Sequence, residues 1–153
     1  MWTSVCRLAA IGLLGVTACN ESTAPEEDAL RSARSRWASN GPTAYHYDLA
    51  RSCECTPEMA GPVRVYVQGG NVLRREYIAN QAPVSAQYAS SFPSVVGLFD
   101  VIASALRDGA YRVEVDYDPD NGLPRVIAVD YDRAVADDEF VYSATNLSPS
   151  AIN

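Results

Sequence analysis

The chain has 153 residues and carries twelve arginines, no lysine and nineteen acidic side chains, a formal net charge of −7. This length is enough for one domain with its own core. An acidic surface without a basic stripe repels phosphate backbones and anionic headgroups, which argues against nucleic acid as a partner.

The first element is a processing segment. Met1 to Arg7 holds one positive side chain, Leu8 to Val16 is an apolar run, and Val16-Thr17-Ala18-Cys19 closes it. That is the layout of a bacterial export signal, and its apolar core is far short of the roughly 20 residues needed to cross a bilayer. Small residues directly before Cys19 resemble the lipobox of bacterial lipoproteins. The resemblance implies that residues 1–18 are removed, that the Cys19 thiol carries a diacylglycerol, and that the chain sits on a membrane of the cell envelope. Two acyl chains suffice for stable anchoring, at about 0.8 kcal/mol per buried CH₂. Asn20 stands where lipoproteins kept at an inner membrane usually have aspartate, which favours the outer membrane. The alternative is an ordinary secretory signal that happens to contain a cysteine.

Residues 19–25 form a tether, and at roughly 3.3 Å per residue they keep the domain close to its membrane. Thr23 and Glu26 have capping-box spacing, and Glu26, Glu27 and Asp28 suit a helix N-terminus. Ala29, Leu30, Ala33 and Trp37 recur at helical spacing until Asn40-Gly41-Pro42 stops the helix. Trp37 is read as a core anchor. Tyr45, Tyr47 and Leu49 alternate with His46, Asp48 and Ala50, which predicts a strand leading into Cys53-Glu54-Cys55. Val63 to Gln68 and Val72 to Ile78, joined by Gly69-Gly70-Asn71, predict a hairpin. Ala79 to Pro93 shows no period, and loops of that length are uncommon unless functional or mobile.

Ser94 caps a second predicted helix through Val95, Leu98, Phe99, Ile102 and Leu106, with Gly109 as its stop. The strongest pattern follows: Tyr111, Val113, Val115 and Tyr117 alternate with charged residues, Pro119-Asp120-Asn121-Gly122 turns the chain, and Ile127, Val129 and Tyr131 return on one face. An acidic connection, Ala134 to Glu139, leads to a last strand from Phe140. The order helix and three strands, twice, predicts an α+β two-layer fold with two amphipathic helices on an antiparallel sheet of about six strands. It suggests an internal duplication, although the halves share no residue-level repeat. The single domain is placed at 26–147 and a tail at 148–153.

Trp37, Tyr45, Tyr47, Cys53-Glu54-Cys55, Val65 to Val72, Leu98-Phe99, Tyr117-Asp118, Gly122-Leu123-Pro124, Asp130 and Asp138-Glu139 together resemble an uncharacterised family of small bacterial lipoproteins, a domain of unknown function. The resemblance implies one lipid-anchored domain and brings no activity or cofactor.

Few residues suggest chemistry. With Cys6 in the signal and Cys19 lipidated, Cys53 and Cys55 have only each other, and an exported compartment permits a disulfide. Closing that ring needs a bent backbone, because an extended chain holds the Cα atoms near the upper limit of about 6.8 Å. It reads as a clip at a strand end, with a thiol-redox site as the alternative. Asp116, Asp118 and Asp120 resemble the start of a calcium loop, but glycine comes one place late and position twelve is Ile127. They read better as solvated turn acids, with a calcium-stabilised module as the alternative. His46, the only histidine, limits metal and triad chemistry and reads as a surface residue. The expectation is a non-enzymatic domain without a cofactor, contacting a protein or small ligand through Tyr66, Tyr88 and the Ala79 to Pro93 loop.

Overall fold

A computed structural model describes residues 24–135 and 138–150. The export signal, Cys19, Thr23 and Asp137 lie outside the described residues.

Helix α1 (Ala24–Asn40) starts with Glu26 and Glu27 in its first turn and buries Leu30, Ala33 and Trp37. Ala29 falls on its exposed flank. The helix thus begins at the residue after Thr23, where the capping-box spacing puts it, and takes in the last two residues of the expected tether. After it come β1 (Ala44–Ser52), a single-turn helix α2 (Pro57–Ala60), β2 (Val63–Gln68) and β3 (Asn71–Tyr77). A 3₁₀ helix (Ala86–Ser91) leads into α3 (Val95–Arg107), and then β4 (Arg112–Tyr117), β5 (Pro124–Asp130) and β6 (Phe140–Pro149) complete the chain. The strands lie in the order β3-β2-β1-β6-β5-β4, antiparallel throughout. This is the α+β architecture that the patterning predicts.

The two three-strand meanders meet where the first and last strands pair. Superimposing β1-β2-β3 on β4-β5-β6 in this order reverses every strand, and a rotation that does so turns the sheet over. Helices α1 and α3 nevertheless pack against each other on one face. The topology therefore speaks against the suggested duplication.

The core lies between that face and the helices. Tyr45, Tyr47 and Leu49 of β1, Val63, Val65 and Val67 of β2, and Phe99 and Ile102 of α3 are at most 2% exposed. Burying an aliphatic or aromatic side chain of this kind contributes about 1.5–3 kcal/mol. Trp37 packs edge-on against Tyr45, centroids 5.4 Å apart, in the core role expected for it.

The segment without a period is held down by side chains from the sheet. Glu76 bridges to Pro83, the 3₁₀ helix follows, and Phe92 is fully buried. Arg75 Nε donates to the Phe92 carbonyl at 2.6 Å, the Tyr47 hydroxyl donates to the Pro93 carbonyl, and the Tyr45 hydroxyl accepts from Val95 N–H at 3.2 Å. Burial pushes the Tyr45 phenol up to about 12 and also raises that of Tyr47 well above its ordinary value, since that ring is wholly enclosed. Both therefore stay neutral and hold the start of α3, which Ser94 caps by accepting from Gly97 N–H at 3.3 Å.

The hairpin β4–β5 pairs Val113 with Val129 and Val115 with Ile127. Its corner falls at Pro119-Asp120-Asn121-Gly122 as expected, closed by Gly122 N–H bonding to the Asp118 carbonyl at 2.9 Å. Asp118 Oδ1 accepts from the amides of Asp120 and Asn121 at 2.9 and 3.0 Å, and Asn40 of α1 donates to the Asp120 carbonyl at 2.8 Å. Tyr111 and Tyr131, expected on the buried face, are 57% and 39% exposed. They lie one step past the last ladder pair, Arg112 with Asp130, where Tyr111 N–H still bonds to the Tyr131 carbonyl at 3.3 Å, so both rings stand at the open end of the hairpin, outside the closed core. At the other end, β6 pairs Pro149 with Tyr45 and Ser150 N–H bonds to the Ala44 carbonyl at 3.1 Å, so the sheet reaches past the predicted domain end at 147.

Candidate functional site

The helices cover one side of the sheet, and the side chains at alternate positions face the other way. Register brings six of them into two rows. Asp48 lies opposite Arg64, which lies opposite Glu76; His46 lies opposite Tyr66, which lies opposite Arg74. Side chains directly opposite on one face are close enough to interact. The first row is carboxylate, guanidinium, carboxylate. The second is a stack, with His46 and Tyr66 rings 5.7 Å apart and Arg74 Cζ 3.8 Å from the Tyr66 centroid. Arg74 Nε reaches Glu76 at 3.2 Å and ties the rows together.

Asp48, read as an outward residue, is 5% exposed. Arg64 grips it with Nε to Oδ1 at 2.7 Å and a terminal nitrogen to Oδ2 at 2.9 Å, and Asn146 Nδ2 donates to Oδ2 at 2.8 Å. Asn146 sits at φ 54°, opposite the register shift between His46 and Asp48. The polar face therefore contains a lidded carboxylate. Burial works to raise the Asp48 carboxyl, but the Arg64 and Asn146 hydrogen bonds outweigh it and hold the group below its ordinary value.

His46, read as a plain surface residue, is half-buried, and its Nδ1 lies 3.3 Å from Ser150 Oγ. A serine nucleophile would need an acid orienting the other ring nitrogen, and both Asp48 oxygens already accept from Arg64 and Asn146. The neighbouring concavity, lined by Arg64, Tyr66, Glu76, Tyr77, Ile78 and Gln81, encloses about 290 Å³. It joins Tyr66 to the first residues of the Ala79 to Pro93 loop. Tyr88, the other expected contact, is half-buried in the 3₁₀ helix and does not line it.

Cys53 and Cys55 form a disulfide with Cα atoms 5.2 Å apart. The bend comes from Cys55 N–H donating to the Cys53 carbonyl at 2.8 Å. The bond terminates β1, and Cys53 packs against the core. Beside it a groove of about 330 Å³ is lined by Glu54, Arg112, Asp130 and Glu139.

The hairpin acids do not converge. Asp116 pairs with Arg125 at 3.0 Å, Asp118 caps its own turn, and Asp120 is exposed. Among the described residues no three His, Cys, Asp or Glu side chains gather where they could hold a metal ion. No described helix is long and apolar enough to cross a membrane.

The two rows were missed in sequence because each residue is unremarkable alone; only pairing across three strands assembles them. The one available signal was an acid alternating with tyrosines in β1 while an arginine alternates with valines in β2. A protein-family model, described as a family of unknown function (DUF6174), matches residues 29–149. No curated protein and no solved structure matches the chain.

Proposed function

The chain belongs to the DUF6174 family of unknown function, and on that premise we propose that it is a non-enzymatic binding domain, lipid-anchored on the bacterial envelope. It meets a protein or small ligand with the uncovered face of its sheet around Tyr66. The observation that carries this is the ordered stack of His46, Tyr66 and Arg74 beside the Asp48–Arg64 pair. Aromatic and arginine side chains held in place before contact lose little entropy on binding and are typical anchors of interfaces. The anchor rests on Val16-Thr17-Ala18-Cys19 and the short tether, and Asn20 favours the outer membrane.

The test uses the full chain expressed in its own membranes, with a photo-crosslinking amino acid at Tyr66 or, as control, at the exposed Arg31 of α1. A discrete adduct from position 66 and none from position 31, with acyl groups found on Cys19 by mass spectrometry, is the expected result. An unmodified Cys19 overturns the anchor, and equal or no adducts at the two positions overturn the contact face. A broad hydrolase screen that finds turnover abolished by His46→Ala overturns the non-enzymatic reading.

A further inference from the structure

We propose that a groove on the helix-covered side of the sheet, floored by Arg51, binds a small organic monocarboxylate with an aromatic or branched apolar body. The site is separate from the Tyr66 face and does not depend on the reading above.

Arg51 lies near the end of β1, opposite Tyr142 of β6. Its guanidinium carbon sits 4.8 Å from the centre of the Phe140 ring and 5.5 Å from that of Tyr142. These faces hold the cation by attraction to the π-electrons, yet they accept no conventional hydrogen bond. Arg51 Nε is buried and has no acceptor among the described residues. Arg34 and Arg36 also bury an Nε without an acceptor, but Arg34 pairs with Asp100, Arg64 with Asp48, and Arg75 with the Phe92 carbonyl, whereas Arg51 meets no carboxylate among the described residues. The aromatic rings fix the guanidinium, and Arg51 lines a space that an anionic group can enter.

That space is a groove of about 440 Å³ between α3 and the ends of β1 and β6, within the usual range for small-molecule sites. Pro93, Val101, Tyr131 and Phe140 supply apolar wall, and Ser90 and Ser104 supply hydroxyls at its rim. Tyr131 is 39% exposed although it packs near Phe140, at 6.4 Å between centroids, so a ring entering the groove meets an available aromatic wall. Asp100 also lines the groove, and its pairing with Arg34 at 2.9 Å offsets its charge. One cation on the floor and an acid on the wall of a chain with net charge −7 suit a single negative charge rather than a polyanion.

The probe is 3-phenylpropionate, titrated into the purified full chain in detergent and followed by ligand-observed NMR and calorimetry, with neutral 3-phenylpropionamide as control. Saturable binding is expected. It weakens at least about tenfold for the amide and for Arg51→Gln, and is unchanged for the exposed Arg133→Gln. Ser104→Phe, which fills the groove while Arg51 stays in place, also abolishes binding, and each variant is checked for a wild-type melting profile. Absence of binding to the wild type overturns the proposal, as does equal affinity for acid and amide. So does retention of binding by a folded Arg51→Gln or Ser104→Phe chain.

Discussion

Gly122→Ala isolates the contact on which the hairpin corner and α1 depend. Gly122 has φ +83°, and a Cβ there would stand 2.3 Å from the Ala33 carbonyl oxygen. Gly70, in the β2–β3 turn, has nearly the same backbone at φ +81° but no atom within 4 Å of its notional Cβ. The pair therefore separates backbone strain from collision. Alanine in the left-handed region costs about 1–2 kcal/mol, and Gly70→Ala should lose about that much. Gly122→Ala adds overpacking against helix backbone, which cannot rotate away and must shift α1. Overpacking typically costs about 1–3 kcal/mol, giving roughly 2–5 kcal/mol in total. With about 2–8 °C of melting temperature per kcal/mol for small domains, the midpoint should fall by on the order of 10 °C or more. Equilibrium urea unfolding at constant slope, read by tryptophan fluorescence, measures both variants. Losses that agree within about 0.5 kcal/mol would refute the packing argument and leave only the strain.

The Asp48 network makes a pH-dependent contribution. Its folded carboxyl titrates below its ordinary value, so the stabilisation is fully present above about pH 4 and is lost as pH falls through the depressed folded value. Asp48→Asn should therefore be less stable than wild type at pH 7 by about 2 kcal/mol, a figure reduced for the 38% exposure of the Arg64 side chain. That gap should shrink by pH 3, and urea midpoints differing equally at both pH values would contradict the assignment. The Cys53–Cys55 ring spans so few residues that removing it with Cys53→Ser/Cys55→Ser should cost no more than about 1.5 kcal/mol by loop-closure entropy. A reduction potential below about −300 mV marks the bond as structural, and one near −200 mV would restore the thiol-exchange alternative.

Several elements were legible because local physics dictates them. Ser94 and Gly109 bound α3 as a cap and a left-handed stop must, and strands such as β1 and β2 read from alternation because each buries one side. The groupings were not legible. Asp48 reads as a solvent-facing strand residue until Arg64 and Asn146, one from the adjacent strand and one from far along the chain, are folded over it. The Ala79 to Pro93 segment has no period because its order comes from Arg75 and Tyr47 reaching across to its backbone at Phe92 and Pro93. Tyr111 and Tyr131 misled because they keep the alternation at the open end of the hairpin, where the core no longer covers them.

By itself, then, the amino-acid order determined an acidic α+β chain with its two long helices, its antiparallel strands and most of the residues that form the core, since periodicity and capping act within a few residues. Tertiary structure alone decided that β1 pairs with β6, that His46, Tyr66 and Arg74 form one row, and that Arg51 ends between two aromatic rings with no carboxylate partner among the described residues. Those outcomes depend on strand register and long-range packing, which join residues that no local pattern connects.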